Sequence, residues 1–315
     1  MHGTTHENIF TPFLQDKNFV LLDGGLATEL EANAYDLHHP LWSSKLLLEN
    51  PSAIKQVHKS YLEAGSDCIV TCSYQLSIPG GDKIGLTRDQ IKNLLLNSVT
   101  IAQEAVQEFT LASHSANIKP LVAASLGPYG AYLADGSEYT GLYNCSPAEL
   151  REFHVRRWET MADSDIDLIA FETIPNIYEA EIIRRLAEEF PDKPFWISFC
   201  CRDDHQISDG NALCKVVSFF ADWESTASVG INCTNPALIS SLIQEIKKGA
   251  PIKEIMVYPN SGETYDKKDR CWIGEKNATD FSMLASEWHR SGVKLLGGCC
   301  RTRPEHIAAI REILL

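Results

Sequence analysis

A single (β/α)8 TIM-type barrel across residues 1–315 is the fold this sequence predicts, and three observations predict it. Eight short apolar runs recur along the chain, and most are continuous rather than alternating, as in parallel strands covered on both faces. Helical patterns of period three to four lie between them. The junctions repeat: "EAGSDCIVT" and "HRSGVKLLGG" each end a helix at a glycine and enter a strand, and "MADSDIDLIAF" does so without the glycine. Strand then helix, repeated about eight times, is the sequence form of a barrel. An open doubly wound sheet is the competing architecture. No G-x-G-x-x-G follows an early strand, which weakens its nucleotide-binding version.

The expected strands are "FVLLD" (19–23), "CIVTC" (68–72), "PLVAAS" (120–125), "IDLIAFE" (166–172), "FWISF" (195–199), "SVGINC" (228–233), "IMVYP" (255–259) and "VKLLGG" (293–298). The first helix between strands, "PSAIKQVHKSYLEAG", has Pro51 at its start and Gly65 as its C-cap. "TRDQIKNLLLNSVTIAQEAVQEF" follows the second strand, and "SPAELREFHVRRWETMA" has Ser146 as N-cap with Pro147 in the first turn. "NIYEAEIIRRLAEEF", "NPALISSLIQEIKKG", "DFSMLASEWHRSG" and "RPEHIAAIREIL" follow the fourth, sixth, seventh and eighth. Long loops are expected at 73–87 and 259–278.

Composition narrows the partners. The 315 residues suffice for a large core, and 44% hydrophobic with 22% charged residues is ordinary for a globular chain. A net charge of −14 gives no general footprint for nucleic acid or an anionic membrane. No basic leader and no apolar run of membrane-spanning length is read, so the expected location is cytoplasmic. Thiols stay reduced there, so the ten cysteines are expected to be buried residues, metal ligands or reactive thiols, not disulfides.

In a barrel the chemistry sits at the C-terminal ends of the strands. Those ends carry Asp23-Gly24-Gly25, Thr71-Cys72-Ser73-Tyr74-Gln75, Gly127-Pro128-Tyr129, Glu172-Thr173, Cys200-Cys201, Asn232-Cys233, Asn260-Ser261-Gly262-Glu263 and Gly297-Gly298-Cys299-Cys300. Cys233, Cys299 and Cys300 fall on one rim, two strands apart. A lone cysteine at a strand end is commonly a small packed residue. Three that converge suit Zn²⁺, and three protein ligands leave the fourth position open, as at catalytic sites. The glycine pair would loosen the turn so that adjacent thiols reach one ion. Cys200-Cys201 lacks such flanking glycines and is read as packing or pocket lining. Asp23 has a plain alternative as a helix N-cap, and Glu172 ends an apolar strand, where a buried carboxylate needs a partner. His2, His6, His38 and His39 are read as surface residues outside any ligand spacing.

At "LLDGGLATELE" (21–31), "GINC" (230–233) and "GGCCRT" (297–302) the chain resembles the zinc-dependent homocysteine S-methyltransferases. Further stretches resemble the branch that uses S-methylmethionine: "PLWSSKLLLENP", "TCSYQLS", "GPYGAYLADGSEYTG", "FETIPN" and "VYPNSGETYD". The resemblance implies one Zn²⁺ per chain on Cys233, Cys299 and Cys300. It implies that Asp23 and Glu172 hold the homocysteine ammonium. Gly24, Gly25 and Ser73 would hold its carboxylate. No side chain is expected to act catalytically beyond presenting the zinc-bound substrate thiolate. Trp42, Tyr74, Tyr129, Glu138 and Tyr139 are candidates for the sulfonium donor, since aromatic faces and carboxylates attract cations. Packing is the alternative for each aromatic, and a solvated carboxylate for Glu138. Expected partners are small molecules: homocysteine and S-methylmethionine or S-adenosylmethionine. Two further readings stay open: S-adenosylmethionine as the main donor, or a zinc-thiolate binding or redox-sensing protein without turnover.

Overall fold

The computed structural model describes residues 7–113, 118–266, 271–273 and 277–315. Among them are ten strands: β1 (Val20–Leu21), β2 (Cys68–Val70), β3 (Leu121–Leu126), β4 (Leu168–Ile174), β5 (Phe195–Phe199), β6 (Thr226–Asn232), β7 (Glu254–Tyr258), β8 (Thr264–Asp266), β9 (Cys271–Ile273) and β10 (Val293–Leu296). Eight of them form one sheet in the order β1-β10-β7-β6-β5-β4-β3-β2, with every pairing parallel. A parallel bridge from Leu22 to Cys68 joins β1 to β2 and closes the ring. The eight expected strands are all present, in order, with ends shifted by one or two residues. β8 and β9 pair antiparallel as a short hairpin inside the long 259–278 connection, which apolar periodicity had not indicated.

The helices follow their sequence signals. Gly65 caps Pro51–Ala64 at φ 107°, a conformation only glycine adopts freely. Thr87 with Gln90, and Ser146 with Glu149, form reciprocal capping boxes on Arg88–Ala112 and Pro147–Ala162. One barrel helix escaped the sequence reading: Leu213–Ser218 between β5 and β6 has six residues, too few to show a period. His2, His6 and part of the expected 259–278 loop lie outside the described residues.

Two cores hold the fold. The larger lies between sheet and helices. The smaller fills the barrel, with Val20, Leu22, Ala123, Leu168, Ala170, Trp196 and Met256 pointing inward. Phe10, fully buried, plugs its N-terminal end and stacks on Trp196 with ring centroids 6.4 Å apart. Aspartates just before two of the strands serve that same end. Asp67 accepts from the Leu21 amide at 2.6 Å and pairs with Lys17 at 2.7 Å. Asp167 accepts from the Val122 amide at 2.7 Å. Each ties the start of one strand to its neighbour. Among the described residues no helix is long and apolar enough to cross a membrane.

Candidate active site at the C-terminal mouth of the barrel

A cavity of about 660 Å³ opens at the C-terminal ends of the strands, within the range that takes a small ligand. Its walls include Asp23, Gly24, Gly25, Trp42, Tyr74, Glu138, Tyr139, Glu172, Cys233, Cys299 and Cys300. Two expected residues are not among them. Ser73 is fully buried, with its hydroxyl donating to the Ser125 carbonyl at 2.7 Å and paired with the Thr71 hydroxyl at 2.6 Å. Its amide donates to the Thr71 carbonyl. Both polar groups are thus committed within the wall, and Thr71 lines the cavity instead. Tyr129 packs among Tyr132, Tyr143 and Phe153, with centroids 5.1 to 5.6 Å away. The packing alternative holds for it.

The three thiols converge. Cys233 Sγ lies 2.8 Å from Cys299 Sγ and 3.5 Å from Cys300 Sγ, and all three sulfurs fall within 4.8 Å of one another. No disulfide joins them. Three thiols brought together from the ends of two strands that flank β7 are the donor set that a tetrahedral Zn²⁺ takes. Hydrogen bonds from the Cys233 and Cys299 thiols hold Cys300 well below the ordinary thiol value, and the same contacts hold Cys233 above it.

The turn that delivers Cys299 and Cys300 is tight rather than loose. A Cβ on Gly298 would lie 2.3 Å from Thr302 Oγ1, and one on Gly25 would lie 2.6 Å from the Cys299 carbonyl oxygen. The glycines let the two turns press together. Gly25 N–H donates to the Thr302 carbonyl at 3.1 Å, so this amide is already engaged. Gly25, not Asp23, caps the helix Leu26–Ala32, which removes the N-cap explanation for Asp23. Tyr61 hydroxyl bonds to both the Gly25 and Thr302 carbonyls.

The same cavity is lined by two buried acids. Asp23 is 4% exposed and Glu172 is 7% exposed. Burial raises the Asp23 carboxyl well above its usual value; the Val70 amide, 2.9 Å away, opposes this and the charge of Glu172 adds to it. Burial also lifts Glu172 to about 7, opposed by hydrogen bonds from Ser125 and Tyr258. Among the described residues, neither acid has a cation beside it. Two such groups in one wall, held by neutral donors alone, leave room for a positive charge from outside the chain.

Sequence reasoning missed the strap behind this wall. Asn232 Oδ1 accepts from the Thr173 amide at 2.8 Å and the Ser198 hydroxyl at 2.9 Å, while its Nδ2 donates to Thr173 Oγ1 at 2.7 Å. Thr173 and Cys233 are both left-handed, at φ 60° and 49°. The side chain of the residue before Cys233 thus holds the residue after Glu172, and Ser198 of the strand between them. The only trace in the sequence is that both strand ends are polar. Cys200 donates through its thiol to the Cys233 carbonyl at 3.4 Å. Cys201 packs in the larger core. Neither lines the cavity.

The opposite half is aromatic and acidic. Trp42 and Tyr74 meet edge to face at 6.2 Å. Glu138 Oε2 is buried without a hydrogen-bond partner, and burial raises that carboxyl. Tyr139 Oη reaches to 4.0 Å from Cys233 Sγ. His38 and His39, expected on the surface, stand at the cavity mouth, and His39 Nδ1 accepts from the Leu41 amide.

Comparison with known proteins gives a consistent answer. The family model described as homocysteine S-methyltransferase matches residues 20–314. A protein of Bacillus subtilis (strain 168), "Homocysteine S-methyltransferase YbgG", is 47% identical over 293 residues, covering 92% of this chain and 93% of that one. "Homocysteine S-methyltransferase 2" of Zea mays is 47% identical over 305 residues, covering 94% and 89%. Among solved structures, the metallated form of the homocysteine methyltransferase MmuM from Escherichia coli superposes with a TM-score of 0.87 at 38% identity. That match covers 96% of this chain and 99% of the other.

Proposed function

The chain belongs to the homocysteine S-methyltransferase family, and on that premise we propose how its own residues carry the reaction. It is an S-methyltransferase that moves a methyl group onto the sulfur of homocysteine, which makes methionine. The observation that carries the reading is the pairing, in one cavity, of three convergent thiols with two buried acids that have no cation beside them among the described residues.

Cys233, Cys299 and Cys300 hold one Zn²⁺ per chain. An ion held by these three thiols would supply the Lewis acidity that keeps the homocysteine sulfur a thiolate at neutral pH, where a free thiol is mostly protonated. Asp23 and Glu172 take the homocysteine ammonium, and the turn at Gly24 faces its carboxylate. Trp42, Tyr74, Glu138 and Tyr139 hold the donor so that its sulfonium methyl lies in line with the acceptor sulfur. The acceptor lone pair forms the new C–S bond, and the old C–S pair stays on the donor sulfur, which becomes a neutral thioether. No side chain needs to move a proton in that step. The chain's work is positioning and exclusion of water.

S-methylmethionine is the proposed donor. Its ammonium suits the unpartnered Glu138 carboxyl, and its product is also methionine, so one turnover gives two. S-adenosylmethionine is the competing donor, because a cavity of about 660 Å³ has room for a nucleoside. Betaine is not expected to react. The free thiols of the site require a reducing compartment, and we place the enzyme in the cytoplasm. Side-by-side kinetics with both sulfoniums test the donor: kcat/KM should be higher for S-methylmethionine, and Glu138→Gln should lower the donor's kcat/KM more than that of homocysteine. A clear preference for S-adenosylmethionine would overturn the donor assignment and leave the thiol site standing.

A further inference from the structure

A second polar cluster, fully buried and outside the cavity, is not used by the reaction just described. Its centre is Glu179, on the first turn of the helix Ile177–Glu189, with no exposed surface. One carboxyl oxygen accepts from the Tyr129 amide at 2.7 Å and meets His154 Nε2 at 2.6 Å. The other accepts from the Tyr143 hydroxyl. His154 Nδ1 faces Arg157, a donor, at 3.2 Å, so the imidazole is neutral with its proton on Nε2. Burial, which disfavours the charged imidazole, agrees. Arg157 lies over the Phe153 ring and donates to the Gly127 carbonyl at 2.8 Å.

A buried cluster of this size costs desolvation, and packed apolar residues would serve stability as well. Its placement gives a reason for it. Gly127 and Tyr129 begin one segment of chain, and Tyr143 ends it. Between them lie Ala134, Gly136, Glu138 and Tyr139, all in the cavity wall on the donor side. The same cluster reaches a further donor-side residue, because Gly127 N–H donates to the Tyr74 carbonyl at 3.1 Å. A Cβ on Gly127 would lie 2.7 Å from the Tyr74 ring. Within the segment, a Cβ on Gly130 would lie 2.5 Å from the Glu138 amide, so the loop folds closely on itself. Glu179 is thus the one group bonded to both ends of the wall that carries Glu138.

We propose that Glu179, with Tyr143, His154 and Arg157, is a positioning cluster that fixes the 127–143 wall and so sets affinity for the sulfonium donor without touching it. The inference rests on the donor half assigned above. The homocysteine half, built on Asp23, Glu172 and the thiols, has no bond to the cluster in the contacts described and should not respond.

The test uses the full-length metal-loaded enzyme. Tyr143→Phe keeps the ring packing and removes one anchor; Glu179→Gln keeps the shape and weakens all of them. For Tyr143→Phe, donor KM should rise roughly tenfold, the loss expected for one hydrogen bond to a carboxylate. Homocysteine KM should stay within about twofold and metal content should not change. Amide hydrogen exchange should quicken at 130–141 and not at 24–32, which general destabilisation would move together. Equal rises in both KM values, equal quickening at both segments, or an unchanged donor KM would each overturn the proposal. If Glu179→Gln does not fold, Tyr143→Phe decides alone. Inactivity of the wild type with every sulfonium would mark failure of the donor reading, and the exchange measurement would still judge the anchoring.

Discussion

The two ends of the barrel bury the same kind of side chain for opposite ends. At the N-terminal end, Asp67 is bonded to the Leu21 amide and the Lys17 ammonium, and Asp167 to the Val122 amide. At the C-terminal end, Asp23 and Glu172 are bonded only to neutral donors; burial raises both, and the charge of Glu172 pushes Asp23 further up. Burial pushes Asp67 up too, but Lys17 opposes it. For Asp23 the neighbouring charge adds to the push instead. A carboxylate whose partner is in the chain stabilises the fold. One whose partner is missing weakens the fold and waits for a ligand.

The largest expected effect breaks the functional end outright. Cys233→Ala, Cys299→Ala or Cys300→Ala should abolish metal and activity together while the barrel still folds, as metal analysis beside an activity assay would read. Full zinc in Cys299→Ala would make the ligand set wrong. Next, Glu172→Gln against Asp67→Asn sharpens the contrast directly. Glu172→Gln should lower kcat/KM for homocysteine roughly 10- to 100-fold, as for a lost charged hydrogen bond of ~1.5–3 kcal/mol, with Tm unchanged or higher. Asp67→Asn should lower Tm by a few degrees and leave the kinetics alone. Reversal of the two outcomes would dissolve the distinction.

A smaller effect lies in the pH dependence of the ligand-free protein. Glu172 binds its proton more tightly folded, at about 7, than unfolded, where a glutamate titrates near ~4.3. Between these values the native state carries more protons, so this group's contribution to stability is full at low pH and is lost as pH rises through about 7. Tm against pH should therefore fall more steeply across that window in the wild type than in Glu172→Gln. Homocysteine, by supplying an ammonium, should flatten it. Smallest is Cys200→Ala: its thiol donates to the Cys233 carbonyl and does not line the cavity, so zinc content should be retained and kcat should change by less than about threefold.

Much of this was legible in the sequence, for identifiable reasons. Buried parallel strands are short and apolar, so all eight runs stood out. Gly65 and Ser146 announced helix ends through local chemistry that needs no tertiary context. The thiols and acids were legible because a barrel sends its strand ends to one rim. What failed was anything decided by side-chain direction. Ser73 and Tyr129 sit in the right loops but turn into the wall. His38 is exposed as expected and His39 half-buried, and both reach the mouth through a connection whose path no periodicity fixes. The role of Asn232 depends on two strands meeting, and Glu179 looks like one more helix-surface acid until Tyr143 and His154 close over it.

The press of the DGG turn against the GGCC turn has a consequence for how the protein is made. Gly25 and Thr302 meet across 277 residues of chain, and β10 slots between β1 and β7. A ribosome that has released β1 through β7 has therefore produced Asp23, Glu172 and Cys233, but not the other two thiols. Closing so long a loop comes late on entropic grounds. Metal loading should accordingly trail sheet formation in refolding, and the ion would act as a marker that the ring has been completed.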